Sequence, residues 1–312
     1  MKVAVIGGSR YFGRLLVERL HAGGHHVTVV NRGTSRPPAG VEHLVADRDD
    51  EGALMAALGS REFDVVVDQV CYTPVQAEIA VRVFRGRTRR YVMTSTIEVY
   101  NPASAELPVF AADTLVPESA VDPASWLVRT DLPWRDAAYL EAHYGEGKRQ
   151  AEAVFTREGG SGFGFGFVSV RSAHVLGGGA REFTGRLAHY VDRVWAGEPV
   201  VVHERPLPSV FIEHAELAEL LRWVATEGEF TGALNACSDG SLDVRELVDV
   251  IAERTGRAAS YKTVAAGQPA SPFSFDRHYA MSNDRASRLG FSFSDTRKWL
   301  PRAVDEAVYT PR

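Results

Sequence analysis

Short apolar runs alternate with amphipathic segments over the first half of the chain. The run Lys2–Ile6 is too short for a helix and ends at a glycine pair, which predicts a buried strand. Phe12, Leu15, Leu16 and Leu20 then recur at helical spacing and predict an amphipathic helix. The alternation continues with strands in HHVTVVNRG, VEHLVADRDD, FDVVVDQV, RRYVMTSTIEVY and FGFVSVRSAHVLG, and with helices in EGALMAALG, PVQAEIAVRVFRG and YGEGKRQAEAVFTREGG.

Strands that alternate with helices predict an α/β fold with a doubly wound parallel sheet of the Rossmann type. We expect residues 1–177 to form a dinucleotide-binding domain, with a Pro-rich insert at 101–143 that is an active-site lid or a structural excursion. Residues 178–312 have a mixed pattern and are expected to form mainly a smaller substrate-binding lobe, with some segments returning to the sheet. In that part Ser241 is a plausible N-cap for the helix in SLDVRELVDVIAERTG.

Composition excludes several classes of protein. The 312 residues are 45% hydrophobic and carry a formal net charge of −5, so no nucleic-acid partner is expected. The basic stretch RGRTRR is interpreted as a solvated helix end. The two cysteines, Cys71 and Cys237, are not spaced as a metal motif, and no metal is predicted. No apolar stretch is long enough to span a membrane, and a cytoplasmic location is expected.

The glycine-rich turn between the first strand and the first helix is the first candidate site. In GGSRYFG the glycines are Gly7, Gly8 and Gly13, and Arg10 stands where a GxxGxxG pattern has its middle glycine. Such a turn lets backbone N–H groups approach a diphosphate, and the helix N-terminus adds favourable dipole charge. The turn therefore indicates a dinucleotide site.

A second candidate site lies further along the chain. In YGEGK, Tyr144 and Lys148 are four residues apart and share one helix face. A nearby ammonium group lowers the pKa of a phenol and makes it a general acid or base. Thr96 and Glu98 follow the fifth strand, where a hydroxyl and a carboxylate two residues apart face the same substrate if the strand continues. If the strand ends first, Glu98 turns to solvent or caps the next helix.

The order of glycine turn, Ser/Thr loop after strand five and YxxxK helix resembles the extended and atypical short-chain dehydrogenases/reductases of the NAD-dependent epimerase/dehydratase family. The resemblance covers nearly the whole chain, since FIEHAELAELL and YAMSNDRASRLGF are similar to the family's C-terminal lobe. It implies an enzyme in which Thr96, Tyr144 and Lys148 are catalytic and Lys148 also holds the nicotinamide ribose. It further implies a homodimer built on the Tyr144 helix. The implied cofactor-binding residues are Gly7, Gly8, Ser9, Arg10, Tyr11, Phe12, Gly13, Asn31, Arg32, Asp47, Val70, Tyr144 and Lys148.

The cofactor is expected to be NADP, with NAD as the alternative. The end of strand two normally carries an acidic residue for the ribose 2′-hydroxyl, but here Asn31 and Arg32 stand there. With Arg10 near the adenosine ribose in the resembling fold, two guanidinium groups favour a 2′-phosphate. Alternatively, both arginines stack on adenine or bind other phosphates. Asp47 resembles the family aspartate that accepts a hydrogen bond from the adenine amine. A role as a helix N-cap is the alternative.

The predicted reaction is hydride transfer at a secondary alcohol or ketone of a sugar-like or natural-product substrate. The loop STIEVY resembles that of nucleotide-sugar dehydratases, so Glu98 acting as a base in a dehydratase is one alternative, although Ile97 replaces their acidic residue. A non-catalytic cofactor- or RNA-binding relative is the other. Ser209 stands near the position of an arginine that sugar-diphosphate members of the family often carry. The absence of this arginine weakens the case for a nucleoside-diphosphate sugar as the substrate. By analogy, Arg171 and His174 are expected to bind substrate.

Overall fold

The computed structural model describes residues 1–101, 104, 107, 111, 114–159 and 164–309. The chain divides into two compact units. The first comprises residues 1–107, 118–172 and 218–234, and the second comprises residues 108–117, 173–217 and 235–312. The division at 172/173 falls five residues before the boundary expected at 177, and residues 218–234 group with the N-terminal part of the chain.

The first unit is built on a parallel sheet flanked by helices. Its strands are β1 (Lys2–Ile6), β2 (His26–Asn31), β3 (Glu42–Val45), β4 (Phe63–Asp68), β5 (Thr88–Thr96) and β6 (Gly166–Ser172). Its helices are α1 (Tyr11–Ala22), α2 (Glu51–Leu58), α3 (Pro74–Phe84), α4 (Ala137–Ala142) and α5 (Tyr144–Gly159). The predicted doubly wound α/β architecture is confirmed.

The strand order places the glycine turn at a crevice. The seven-stranded sheet runs β10-β6-β5-β4-β1-β2-β3, where β10 is Gly232–Ala236. The order reverses between β1 and β4, which pair in parallel from Val3 with Val65 to Ile6 with Asp68. Ligands of open α/β sheets bind beyond the carboxyl ends of the strands at such a reversal. The loops after β1 and β4 therefore flank the expected cofactor crevice.

One face of this sheet buries a cluster that is rich in aromatic side chains. Tyr91 of β5 stacks on Phe155 of α5 at 4.6 Å between ring centroids, and on Phe165 at 5.1 Å. Phe155 also stacks on Phe167 of β6 at 4.9 Å. An offset aromatic pair contributes about 0.5–1.5 kcal/mol of stability beyond the contribution of the apolar area that it buries. These contacts hold α5, which carries Tyr144 and Lys148, against β5 and β6.

Side-chain caps set the start of α2 and α3, among other helices. Asp50 accepts from the Ala53 N–H at the start of α2. At the start of α3, Thr73 accepts from the Gln76 N–H and Pro74 occupies the first turn.

The second unit contains two short parallel strand pairs and several helices. Strand β7 (His174–Leu176) pairs with β9 (Phe211–Glu213), and β8 (Val200–His203) pairs with β11 (Tyr261–Val264). The helices are α6 (Arg186–Ala196), α7 (His214–Thr226, which continues into the first unit), α8 (Val244–Thr255), α9 (Asp284–Arg288) and α10 (Thr296–Tyr309).

The cap of α8 differs from the prediction. Asp243, not Ser241, caps the helix, because the Asp243 carboxylate accepts from the Arg245 and Glu246 N–H groups. Glu246 in turn accepts from the Asp243 N–H and completes a capping box. This capping box satisfies N–H groups of the first helical turn that Ser241, two residues before Asp243, lies too early in the chain to reach.

Part of the insert expected at 101–143 lies outside the described residues, namely 102, 103, 105, 106, 108–110, 112 and 113. Within the described remainder, the stretch that contains Trp126 and Arg129 lies along α5. The Trp126 indole N–H donates to Glu146 at 3.1 Å, and the Arg129 N–H donates to Gln150 at 2.7 Å. The Trp126 ring also lies 5.0 Å from the Arg149 guanidinium. Among the described residues, no helix combines the length and the apolar character needed to cross a bilayer.

Candidate active site

The turn after β1 leaves space beside its backbone. Gly7 and Gly8 have φ of 91° and 73°, which L side chains rarely adopt. A Cβ on Gly13 would overlap the side-chain amide oxygen of Gln69. In the described chain, no side chain caps the first turn of α1, whose N-cap is Arg10. A glycine turn at a helix N-terminus fits a diphosphate.

Asn31 ties the end of β2 to this turn. Its amide nitrogen donates to the Ser9 hydroxyl at 2.7 Å, and its amide oxygen accepts from the Gly33 N–H at 2.7 Å. Arg10 and Arg32 are both exposed. Because Ser9 and Asn31 are hydrogen-bonded, Arg10 and Arg32, which follow them in the chain, are attached to neighbouring parts of the backbone. This is the side of the crevice where the sequence analysis expects the adenosine ribose.

The remaining residues of the expected nucleotide site lie around the same turn. Tyr11 begins α1 with φ of 49° and packs its ring edge-on against Phe12 at 5.6 Å. Val70 lies against Gly7, 3.1 Å from the position of a Cβ there. Asp47 is exposed and accepts from the Asp49 N–H at 3.0 Å. The cap of α2 is Asp50, so Asp47 does not hold that position.

A buried ion pair fixes the loop after β4. The Arg48 guanidinium donates to the Asp68 carboxylate at 2.9 Å and to the Val70 carbonyl at 3.0 Å. Asp68 also accepts from the Tyr91 hydroxyl at 2.6 Å. The side-chain oxygen of Gln76 accepts from both Arg48, at 3.2 Å, and the Tyr72 N–H, at 2.7 Å. These bonds fix the backbone of residues 70–72 beside the cofactor crevice.

Tyr144 and Lys148 lie together on the first turns of α5, as their spacing predicts. The Lys148 Nζ atom is 5.7 Å from the centroid of the Tyr144 ring. Two glycines allow the close approach of this turn to its neighbours. A Cβ on Gly145 would lie 2.5 Å from the Glu98 carbonyl oxygen, and a Cβ on Gly147 would overlap the Tyr72 carbonyl.

Lys148 is 1% exposed, and its ammonium donates to the Thr94 carbonyl at 2.8 Å. The same ammonium lies 4.6 Å from the centroid of the Tyr72 ring. Burial is the largest influence on the pKa of Lys148 and lowers it to about 8, whereas the negative charge of Asp68 acts in the opposite direction. The lysine is therefore a buried cation that changes its charge close to physiological pH.

Thr96 is the last residue of β5, and its hydroxyl accepts from the Glu98 N–H at 3.2 Å. The strand ends there, and residues Ile97–Tyr100 form a 3₁₀ turn. The strand periodicity that would set Glu98 on the same side as Thr96 does not apply to this turn. The Glu98 carboxylate accepts from the Asn101 amide at 2.9 Å and is half-buried.

Arg171 lies away from any accessible surface. Its side chain is 0% exposed and forms an ion pair with Glu152 at 2.6 Å. It also donates to the Tyr100 hydroxyl and to the carbonyls of Glu118 and Val121. Burial opposes ionisation of Glu152, but Arg171 lowers the pKa of that carboxyl overall. Arg171 was expected to contact substrate, but its guanidinium presents no accessible donor in this structure. It instead holds β6 to α5 and to the segment 118–121.

His174 belongs to the second unit. It is 6% exposed, and four aromatic rings surround it at 5.3–5.8 Å between centroids, from Phe211, Phe273, Phe275 and Tyr279. Burial lowers the pKa of His174 to about 3, and the charge of Arg186 adds to the effect. The imidazole is neutral at physiological pH.

Sequence reasoning did not identify Arg48, Gln69, Tyr72 or Glu152, and it gave no role to Gly145 and Gly147. The two glycines carried a signal, since glycines at alternate positions inside YGEGK weaken a helix unless another segment approaches closely. Arg48, Gln69, Tyr72 and Glu152 act through partners distant in sequence, which no local pattern indicates.

These features define a member of an enzyme family with a Rossmann-type fold. The model of the NAD dependent epimerase/dehydratase family matches residues 3–210, and the chain belongs to that family.

Among proteins with an assigned activity, the chain is similar to 2'-dehydrokanamycin reductase of Streptomyces kanamyceticus, with 31% identity over 121 residues. That alignment covers 38% of this chain and 34% of the relative, so the chain matches about a third of the relative's length.

Solved structures share the fold over the full chain. UDP-glucose 4-epimerase of Thermus thermophilus, complexed with NAD, has a TM-score of 0.73 at 21% identity, with 100% of each chain covered. A putative epimerase of Burkholderia cenocepacia has a TM-score of 0.74 at 16% identity and covers 99% of this chain and 98% of its own. WbmG of Bordetella bronchiseptica, complexed with NAD and UDP, has a TM-score of 0.72 at 18% identity, with 99% and 95% covered.

Proposed function

We propose that this chain is an NADP-dependent oxidoreductase of the short-chain dehydrogenase type that acts on a secondary alcohol or ketone of a sugar-like or natural-product substrate. The observation that carries the proposal is the buried ammonium of Lys148. It lies 5.7 Å from the Tyr144 ring and donates to the Thr94 carbonyl, two residues before the end of β5. We assign the Tyr144 phenol, beside this fixed cation near the carboxyl end of β5, as the general acid.

A nicotinamide cofactor bound in the crevice supplies the hydride for reduction of a ketone, or accepts it in the reverse direction. In the reduction, Tyr144 donates its phenolic proton to the carbonyl oxygen as the carbon receives the hydride. The Lys148 charge stabilises the phenolate that remains. Thr96 supplies a hydroxyl that orients the substrate oxygen. Solvent then returns a proton to Tyr144.

The reductive direction and the substrate class rest on a partial likeness. The matched relative is by name a reductase of a dehydrokanamycin, and its alignment with this chain is local. The proposal therefore extends to carbonyl groups on sugar-like rings and no further.

The preference for NADP follows from the charges near Asn31. A carboxylate at this position would accept a ribose hydroxyl and repel a 2′-phosphate. Asn31 is instead engaged with Ser9 and Gly33, and Arg10 and Arg32 are exposed on either side of that contact. Guanidinium groups bind phosphate through paired charge-assisted hydrogen bonds.

The first experiment compares Tyr144→Phe with Tyr139→Phe. Tyr139 lies on α4, where it stacks on His143, and serves as a matched control. We expect Tyr144→Phe to bind nucleotide normally and to lose turnover by at least about a hundredfold, because the phenolic proton is needed only in the reaction. Turnover is followed as nucleotide absorbance during a screen of keto and hydroxy sugars. An unchanged rate in Tyr144→Phe on a confirmed substrate contradicts the assignment.

The second experiment titrates NADP and NAD calorimetrically into the wild-type protein and into Arg32→Ala. We expect NADP to bind more tightly, and Arg32→Ala to remove about 1–3 kcal/mol of that preference. Arg288→Ala, an exposed arginine at the end of α9, is the control. Equal or tighter binding of NAD by the wild type refutes the NADP preference.

A third measurement separates simple reduction from dehydratase or epimerase chemistry at Glu98. The reaction is run in D₂O and deuterium is located in the product. Deuterium at a carbon next to the oxidised centre, lost in Glu98→Gln, would establish Glu98 as a carbon base and overturn the proposal of simple reduction. Net oxidation or reduction of nucleotide without such deuterium supports it.

A further inference from the structure

We propose that Tyr72 is a positioning residue for Lys148, holding its ammonium against an aromatic face beside Tyr144; the proposal rests on the function proposed above. Tyr72 lies in the loop after β4, outside the Thr, Tyr and Lys set. Its role would be to fix where the cation lies and to favour its charged form.

The ammonium lies close to two neighbouring rings. The Lys148 Nζ atom is 4.6 Å from the Tyr72 centroid, closer than the 5.7 Å to the Tyr144 centroid. The two ring centroids are 6.2 Å apart with an interplanar angle of 47°. A cation within about 6 Å of an aromatic face is attracted to it, more strongly when water is excluded. Both rings meet this condition, and Tyr72 meets it at the shorter distance.

The protein fixes Tyr72 in this place by several contacts. Its N–H donates to the Gln76 side chain at 2.7 Å, and Thr73, the next residue, caps α3. On the other side its carbonyl occupies the space that a Cβ on Gly147 would fill. Gly147 immediately precedes Lys148, so the Tyr72 backbone lies directly against the turn that carries the cation. A larger residue at 147 would separate the ring from the ammonium.

The carboxylates nearest to the Lys148 ammonium are paired with other residues, so the Tyr72 ring can contribute to stabilising its charge. Among the described residues, no carboxylate lies within salt-bridge distance of Lys148, since Asp68 pairs with Arg48 and Glu152 pairs with Arg171. Burial lowers the pKa of Lys148 to about 8, so its charge at neutral pH depends on nearby stabilising groups. The titratable and charged groups around it are Arg48, Asp68, Cys71, Tyr72, Tyr144 and Glu152.

The test changes the ring while retaining its shape. Phe at 72 keeps the aromatic face, and successively fluorinated phenylalanines weaken its attraction for a cation with little change in size. Leu at 72 removes the face. In kcat/KM profiles on a confirmed substrate, we expect the alkaline limb to move to lower pH with each fluorine. In Tyr72→Leu we expect a move of about half to one pH unit and a loss of turnover of about twofold to fivefold at pH 8, which Tyr72→Phe largely restores.

A second readout needs no turnover. Because Lys148 is expected to hold the nicotinamide ribose, nucleotide affinity is measured by fluorescence between pH 6 and 10. As the pH is raised, the affinity should begin to fall at a lower pH in Tyr72→Leu and in the fluorinated variants than in Tyr72→Phe. Tyr139→Leu, an aromatic truncation on the neighbouring helix α4, should leave both profiles unchanged.

The outcomes separate the two proposals. Turnover that survives Tyr144→Phe refutes the proposed function, and the nucleotide titration still tests Tyr72. Profiles that do not move with fluorination refute the positioning role, even if Tyr72→Leu is inactive or unstable. A loss in Tyr72→Phe equal to that in Tyr72→Leu also refutes it, because the hydroxyl rather than the ring face would then be required.

Discussion

Lys148→Met should make the protein more stable near neutral pH while removing its activity. Lys148 is 1% exposed, and burial lowers the pKa of its ammonium from 10.5 to about 8. At about 1.4 kcal/mol for each pH unit, keeping this side chain charged in the folded state costs about 3 kcal/mol. Methionine has a similar length and no charge. It forfeits the hydrogen bond to the Thr94 carbonyl, worth about 1 kcal/mol, which leaves a net gain of about 2 kcal/mol at pH 7.

The dependence on pH identifies the cause. Between about 8 and 10.5 the unfolded wild type binds more protons at Lys148 than the folded one, so wild-type stability rises with pH. The cost is fully present below pH 8 and disappears above pH 10.5. The advantage of Lys148→Met should therefore shrink by about 2 to 3 kcal/mol between pH 7 and pH 10.

The assay is urea unfolding followed by circular dichroism at both pH values. Lys298→Met, which removes an exposed lysine on α10, corrects for the general effect of alkaline pH. An advantage that does not change with pH, relative to this control, refutes the reasoning, because it means that Lys148 is charged equally easily in the folded and unfolded states.

Two further substitutions test how the site is supported. Gly145→Ala places a Cβ 2.5 Å from the Glu98 carbonyl oxygen and should cost about 1–3 kcal/mol of stability along with activity, whereas Gly52→Ala in α2, with its nearest atom at 3.4 Å, should be neutral or stabilising in the same thermal-unfolding assay. Glu152→Gln leaves the Arg171 charge buried without its partner and should cost about 3–5 kcal/mol at pH 7. Because the pKa of Glu152 lies below 4.5 in the folded state, the wild-type advantage should persist above pH 4.5 and disappear as the pH falls below it; an advantage unaffected by acid would contradict the pairing.

The fold was predictable because its signals are local. Buried parallel strands are continuous apolar runs and their helices repeat at 3.6 residues, so the alternation in the first half of the chain predicted the sheet directly. Tyr144 and Lys148 were predictable for the same reason, since one helix turn sets their separation. Glu98 shows the limit of this reasoning. The prediction of a shared face depended on where β5 ends, and it ends at Thr96.

The interactions that the sequence did not indicate join residues distant in the chain. Glu152 receives hydrogen bonds from Ser95, Ser169 and Arg171, which lie on two neighbouring strands. Arg171 was expected at a substrate by analogy with the resembling family. Its carboxylate partner, nineteen residues earlier on α5, takes it into the core instead.

One side chain connects the two ends of the proposed nucleotide site. The Gln76 amide donates to Asp49 at 2.8 Å, and its oxygen accepts from the Tyr72 N–H at 2.7 Å. Asp49 lies two residues after Asp47, the residue expected at the adenine, whereas Tyr72 contacts Lys148 at the expected nicotinamide end. The loops after β3 and β4 are therefore held to each other through hydrogen bonds on both the nitrogen and the oxygen of one buried amide. Satisfied polar networks in a protein interior are rigid, so the protein can present both ends of the site at a fixed separation before a nucleotide binds.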